Sequence, residues 1–220
     1  MQKLARECRT IALHQTLLTS PSPQRVSQSA FWTEVYIPQG TTRKSYATRL
    51  SQLQLVIKPD RVRSLRLKNV YGNDERTSSL VSSLHAVESL ALSSGRYWPD
   101  ISANLLAVLR NLPHLRRLSL LNFYLSPKDL ENLPLTLEYL QFSNCRTSEQ
   151  YSNPTVSILD ILGSPGNALS GLGADNWPSL KQLRIEREDA WTGEMKADCR
   201  ARRIEGFHGY GDDWIPVDLS

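Results

Sequence analysis

A short apolar pattern, L-x-x-L-x-L, occurs five times along the chain and narrows the available folds more than any other feature. Its apolar places are filled by Val62, Leu65 and Leu67; by Val87, Leu90 and Leu92; by Leu115, Leu118 and Leu120; by Leu137, Leu140 and Phe142; and by Leu180, Leu183 and Ile185. The starting positions advance by 25, 28, 22 and 43 residues. Leucine-rich repeats recur at roughly 20 to 29 residues, so the first three intervals fit, and the fourth implies either a missed repeat or an insertion between Tyr151 and Asn176. Poorer copies are read at Leu50, Leu53 and Leu55, and near Ile204 with Phe207 in the second apolar place.

The alternation in Leu118-Ser119-Leu120 is the period-two signature of a short strand with one face buried. Between strands, the stretches from Ser78 to Val87 and from Ile101 to Leu112 carry apolar residues at helical spacing. Pro99, Pro113, Pro127, Pro134 and Pro178 fall at the joints, where a missing amide hydrogen costs nothing. A unit of this size cannot bury its apolar face alone. The expected fold is therefore α/β: a curved leucine-rich-repeat solenoid with parallel strands on the concave side and helices or irregular turns on the convex side. Residues 1–49 are expected to form an N-terminal helical and extended segment. Residues 50–220 are expected to form the repeat domain, closed by an irregular cap containing Phe207, Tyr210 and Trp214. In the usual repeat the ninth position is Asn or Cys; Cys145 fits, whereas Val70, Gly95, Phe123 and Glu188 do not, which leaves the turn geometry open.

The N-terminal region carries a second signal. Cys8, Ala12 and Leu13 match a "C-x-x-x-A-L" helix end, Phe31-Trp32-Thr33-Glu34-Val35-Tyr36-Ile37 matches an "(L/F)-W-x-x-(V/I)-x-(V/I)" strand, and Pro59, Arg61, Val62, Leu65 and Leu67 match a "P-x-R-V-x-x-L-x-L" lead-in to a first repeat. Together these resemble the segment that follows the F-box in fungal F-box/leucine-rich-repeat proteins. The resemblance implies substrate recognition for a cullin-RING ubiquitin ligase, with the repeats holding the substrate. No "L-P-x-E" helix precedes Cys8, so a cullin-RING adaptor is expected as partner only if a longer product carries the F-box. The remaining readings are a fragment, a truncated gene product, or a repeat protein that no longer joins a ligase.

The chemistry-bearing residues are scattered. His14, His85, His114 and His208 stand at no metal-binding spacing, and the glycines at 163, 166, 171 and 173 match no phosphate-binding loop. Glu186, Glu188, Asp189, Asp212 and Asp213 read as solvated acids. No catalytic residue, metal or cofactor is expected, and the reading is of a non-enzyme. Cys8, Cys145 and Cys199 are an odd number of dispersed cysteines, which suits a reducing compartment, cytoplasm or nucleus. The first twenty residues mix charge with apolar groups, unlike a secretory signal, although an Arg-bearing amphipathic start also fits a mitochondrial presequence. No apolar run is long enough to span a bilayer, so no membrane partner is expected.

What remains is the concave ribbon. Residues flanking the core leucines face it, and Arg66, Lys68, Arg117, Tyr139, Gln141 and Arg184 are the candidates for holding a protein segment, because Arg and Tyr combine contact area with directional hydrogen bonds. The alternative is a nucleic-acid or acidic partner held by the basic N-terminal portion: residues 1–70 contain 12 Lys and Arg against 3 Asp and Glu, and the remainder 14 against 19. Leu118→Asp should place an unpaired charge in the stacked core and unfold the neighbouring repeats. Circular dichroism and thermal melting indistinguishable from the parent would remove the strand assignment.

Overall fold

The computed structural model describes residues 31–36, 43–56, 59–71, 74–95, 99–126, 129–130, 132–147, 177–186, 191, 193–210 and 213–219. Each of the five L-x-x-L-x-L copies places its central residues in a strand: β2 (Val62–Val70), β3 (Ser89–Ser94), β4 (Arg117–Leu121), β6 (Tyr139–Ser143) and β8 (Gln182–Ile185). Ahead of them lies β1 (Phe31–Tyr36), and after them β9 (Glu205–Tyr210) and β10 (Asp213–Pro216). These eight strands form one sheet in the order β1-β2-β3-β4-β6-β8-β9-β10, and only the β9–β10 pair is antiparallel. A small second sheet joins β5 (Tyr124–Leu125) to β7 (Arg146–Thr147). The chain is therefore a mixed α/β protein built on a mostly parallel sheet.

Register follows the sequence copies residue for residue. Leu65, Leu90, Leu118, Leu140 and Leu183 are consecutive partners across five strands, and Leu67, Leu92, Leu120, Phe142 and Ile185 form a second such row. Every member of both rows is buried. Removing side chains of this size from water contributes about 1.5–3 kcal/mol each, the main force holding one strand against the next. The long interval is settled by the same pairing: β6 bonds directly to β8, so its 43 residues hold an insertion rather than a missing strand of this sheet. Its interior, including the glycines at 163, 166, 171 and 173, lies outside the described residues, as do the N-terminal matches at Cys8, Ala12 and Leu13.

Helices cover the buried face. α1 (Arg43–Val56) contributes Tyr46, Leu50 and Leu53, α2 (Glu75–Ser83) contributes Leu80 and Val81, and α3 (Ala103–Arg110) contributes Leu105, Leu106 and Leu109, all in the same apolar cluster as the strand leucines. α2 begins three residues before the expected Ser78 because the Asp74 carboxylate accepts from the Arg76 amide and caps it. It ends well before Val87, at Leu84, whose amide bonds the Val81 carbonyl in a tight last turn. Ser102 caps α3 in the same way through the Leu105 amide. The poor copy at Leu50, Leu53 and Leu55 is not a strand but part of α1. Leu50 and Leu53 share a buried helical face with Tyr46, whereas Leu55 is 86% exposed. The expected boundary between residues 49 and 50 falls inside this helix, and β1, from the N-terminal segment, is paired in the main sheet.

Two further corrections concern strand ends. At the ends of β2, β4 and β6 the residue that turns the chain out is an asparagine at the eighth place, not the ninth: Asn69, Asn122 and Asn144 have φ of 58°, 61° and 47°, left-handed values that asparagine tolerates better than most. They knit successive turns together. Asn122 donates from its side chain to the Ser94 carbonyl at 3.2 Å, and Asn144 donates to the Asn122 side-chain oxygen at 2.8 Å. The ninth place instead faces the core, burying Val70, Phe123 and Cys145. Cys145 also donates its thiol to the Leu120 carbonyl at 3.2 Å.

At the C-terminus, the cap is regular rather than irregular, a parallel β9 followed by an antiparallel β10. Here Gly206, not Phe207, takes the core place opposite Leu183. The space belongs to Trp191, which is buried: a Cβ on Gly206 would lie 2.7 Å from the Trp191 ring, closer than packed atoms allow. α4 (Gly193–Arg202) then seals this end with Met195 and Cys199. Gly206→Ala should therefore destabilise the protein by about 1–3 kcal/mol through overpacking. Combining it with Trp191→Leu should cost less than the sum of the two single changes; additive losses in urea denaturation would show that the indole does not fill this gap.

Candidate functional site

With one face of the sheet buried under helices, the flanking residues of β2 to β9 make up the open face, as the alternating burial of β3, β4, β6 and β8 requires. All six candidate residues are on it. Arg117, Tyr139, Gln141 and Arg184 are brought together on three adjacent strands. The guanidinium carbons of Arg117 and Arg184 each lie 5.2 Å from the centroid of the Tyr139 ring. Arg184 also lies 5.0 Å from the Phe207 ring. Across β4, β6, β8 and β9 the face thus reads cation, aromatic, cation, aromatic. A cation over an aromatic ring contributes about 0.5–1 kcal/mol at exposed sites and more where water is excluded, so the four side chains hold one another in place.

Gln141 lies beside this ladder with its amide oriented. Its oxygen accepts from the Tyr139 hydroxyl at 2.8 Å and from the Ser119 hydroxyl at 3.1 Å, and its NH2 donates to the Ser143 hydroxyl at 3.1 Å. Burial raises the Tyr139 phenol above its ordinary pKa, while the charges of Arg184 and Arg117 pull it down. Arg66 and Lys68 stand apart on β2, separated from the ladder by the small residues Ala91, Ser93 and Ser119. Strand spacing puts β2 about 14 Å from β6.

Phe207 is the member that sequence reasoning missed. Taking Ile204 as a first apolar place put Phe207 in the core, whereas pairing sets it opposite Arg184 on the open face. The signal available was Gly206, a residue that cannot fill a core place itself and so shifts the pattern by one.

Where the strands begin, an open groove of about 580 Å³ continues from the ladder, lined by Arg117, Tyr139 and Gln182 and by the charged residues Glu88, Arg116, Glu138, Lys181, Arg203 and Glu205. Charges alternate across its strands. Arg63 meets Glu88 at 3.6 Å, and Glu138 lies 2.5 Å from Arg116 on one side and 2.7 Å from Lys181 on the other. Hydrogen bonds from Lys181 and Arg116 hold the Glu138 carboxyl below its ordinary pKa.

Among the described residues the remaining titratable groups form no second cluster. Burial pushes the thiols of Cys145 and Cys199 up to about 12, which leaves them protonated and unreactive at neutral pH. His85 and His114 are exposed, and His208 is paired with Ile185 in the sheet. Glu186 accepts from the Asn144 amide; Glu188, Asp189 and Asp212 lie outside the described residues. Among the described residues no group of three or more His, Cys, Asp and Glu could hold a metal ion, and no helix is long and apolar enough to cross a membrane.

Comparison with protein-family models, with curated proteins and with solved structures gives no match.

Because the folded-state pKa of Glu138 is lowered, its ion pairs stabilise the protein fully above the ordinary carboxylate range, and that contribution is lost as pH falls through the lowered value. Glu138→Gln should cost up to about 1 kcal/mol at pH 7, since the network is solvent-screened. The deficit should shrink at high salt and disappear in strong acid. A deficit of the same size throughout, measured by chemical denaturation across pH, would assign it to packing rather than charge.

Proposed function

We propose that this chain is a non-enzymatic recognition scaffold, a leucine-rich-repeat solenoid whose open, concave sheet face binds a segment of a partner protein. The solenoid reading is supported by five sequence copies that pair as consecutive parallel strands with like residues superposed. The observation that carries the binding role is the Arg117–Tyr139–Arg184–Phe207 ladder. Arginine and aromatic side chains dominate protein-interface energetics, and here their geometry is set before any partner arrives, which reduces the entropy lost on binding. The resemblance to fungal F-box/leucine-rich-repeat proteins makes the client of a cullin-RING ligase the natural kind of partner, with β1 and the turn at Pro59–Arg61 leading into the stack as in the motif. Cytoplasm or nucleus is the compartment that fits this role.

Selection from a random-peptide display library tests the reading directly. Peptides enriched on the parent protein should lose binding when Arg66, Lys68, Arg117, Tyr139, Gln141 and Arg184 are all replaced by alanine in a chain that keeps its circular dichroism and melting temperature. Enrichment that survives the replacement would place recognition elsewhere and end this assignment.

A further inference from the structure

Resting on that reading, we infer that the segment recognised is an extended, acidic peptide with carboxylates at alternate positions followed by an apolar side chain, laid across β4 to β9.

Three observations lead there. First, the guanidinium groups of Arg117 and Arg184 are held beside the Tyr139 ring, and a guanidinium presents several N–H donors in a planar fork, the geometry that matches a carboxylate. Arg184 spends part of that fork on the Tyr139 hydroxyl, and Arg117 is exposed. Second, both guanidinium carbons lie 5.2 Å from one ring centroid, so they are separated by no more than twice that distance. In an extended chain, side chains at i and i+2 point the same way and start about 7 Å apart, which fits that separation; neighbours at i and i+1 point to opposite faces and do not. Third, the ladder ends on Phe207, a partly exposed ring one strand beyond Arg184 and the place for an apolar side chain two residues further on. On the other flank, Ser119 and Ala91 are small enough for a peptide backbone to approach the sheet.

Charge favours carboxylates over cations at this place. The acids nearest the ladder are already engaged: Glu138 by Arg116 and Lys181, Glu186 by the Asn144 amide, and Glu205 by the Gln182 side chain at 2.7 Å. Arg66 and Lys68 extend the basic character of the face toward β2.

Fluorescence anisotropy on the full chain tests this with labelled ten-residue peptides. One carries Asp-Ala-Asp-Ala-Leu, an isomer carries the two Asp side by side, and two relatives have Asn or Lys in place of Asp; an oligothymidylate is the competitor. The alternating peptide should bind at least about tenfold more tightly than each of the others, the margin expected of one charge-assisted contact. Its affinity should fall as salt rises. Arg117→Gln with Arg184→Gln should remove the preference for Asp over Asn, and Phe207→Ala should remove a preference for Leu over Ala at the last position. Arg63→Gln, on β2 and outside the ladder, should change neither. Equal binding of the isomers, or of the Lys peptide, overturns the inference using the parent protein alone, whether or not the variants fold. So does an absence of binding. Displacement by oligothymidylate through the same arginines would assign the face to nucleic acid. If library selection yields face-dependent peptides without alternating acids, the recognition role stands and this inference falls; if it yields none that depend on the face, both fall.

Discussion

The stack exists because a five-residue strand with two inward leucines is unstable until a like strand lies on each side of it. Parallel pairing in equal register sets Leu118 against Leu90 and Leu140, and Leu120 against Leu92 and Phe142, so each side chain loses water to two apolar neighbours. No hydrophobic contact of this kind depends on direction. What fixes the register is that a slip of one residue would turn both leucines outward and bring a polar row into the core. The open face is the other product of that constraint, since residues between two fixed leucines have no choice of side.

That coupling explains how the Arg117–Tyr139–Arg184–Phe207 ladder can be held in place although all four residues are on the surface. Side chains at single exposed positions normally sample several rotamers at some entropic cost to any contact they make. Here the backbones under them are spaced by the sheet, and each ring or guanidinium limits the next. The alternating charges where the strands begin act on the same strands from one end, with Glu138 tying β4 to β8 across β6. Asn122 and Asn144 tie the other end through side-chain hydrogen bonds between turns.

The strand positions, their order and the buried rows were legible in the sequence because period-two leucines inside a longer repeat leave little freedom. The errors have physical causes. At Leu50 and Leu53 the spacing of three suits a helix as well as a repeat, Tyr46 extends that helical face, and Leu55, two residues on, falls on the exposed side. At Ile204 the pattern slipped by one because Gly206 contributes no side chain and Trp191, fifteen residues earlier, supplies the missing volume. The asparagine turns were not legible because the usual repeat carries Asn or Cys at the ninth place, while these turns use a left-handed eighth residue. Of the candidate site, the six residues and their common face could be anticipated. That Tyr139 is shared between two arginines could not, as it depends on β6 and β8 being neighbours although their copies start 43 residues apart.

That adjacency has an evolutionary reading. The two strands are locked to one another by their own backbone bonds and by Leu140 and Leu183, Phe142 and Ile185, however long the chain that joins them. Loop-closure entropy grows only logarithmically, about 0.6 kcal/mol for each doubling of length. A lineage could therefore lengthen, shorten or exchange the connection at small thermodynamic cost while leaving the ladder untouched, which makes this junction the place in the molecule where novelty can accumulate without endangering the fold.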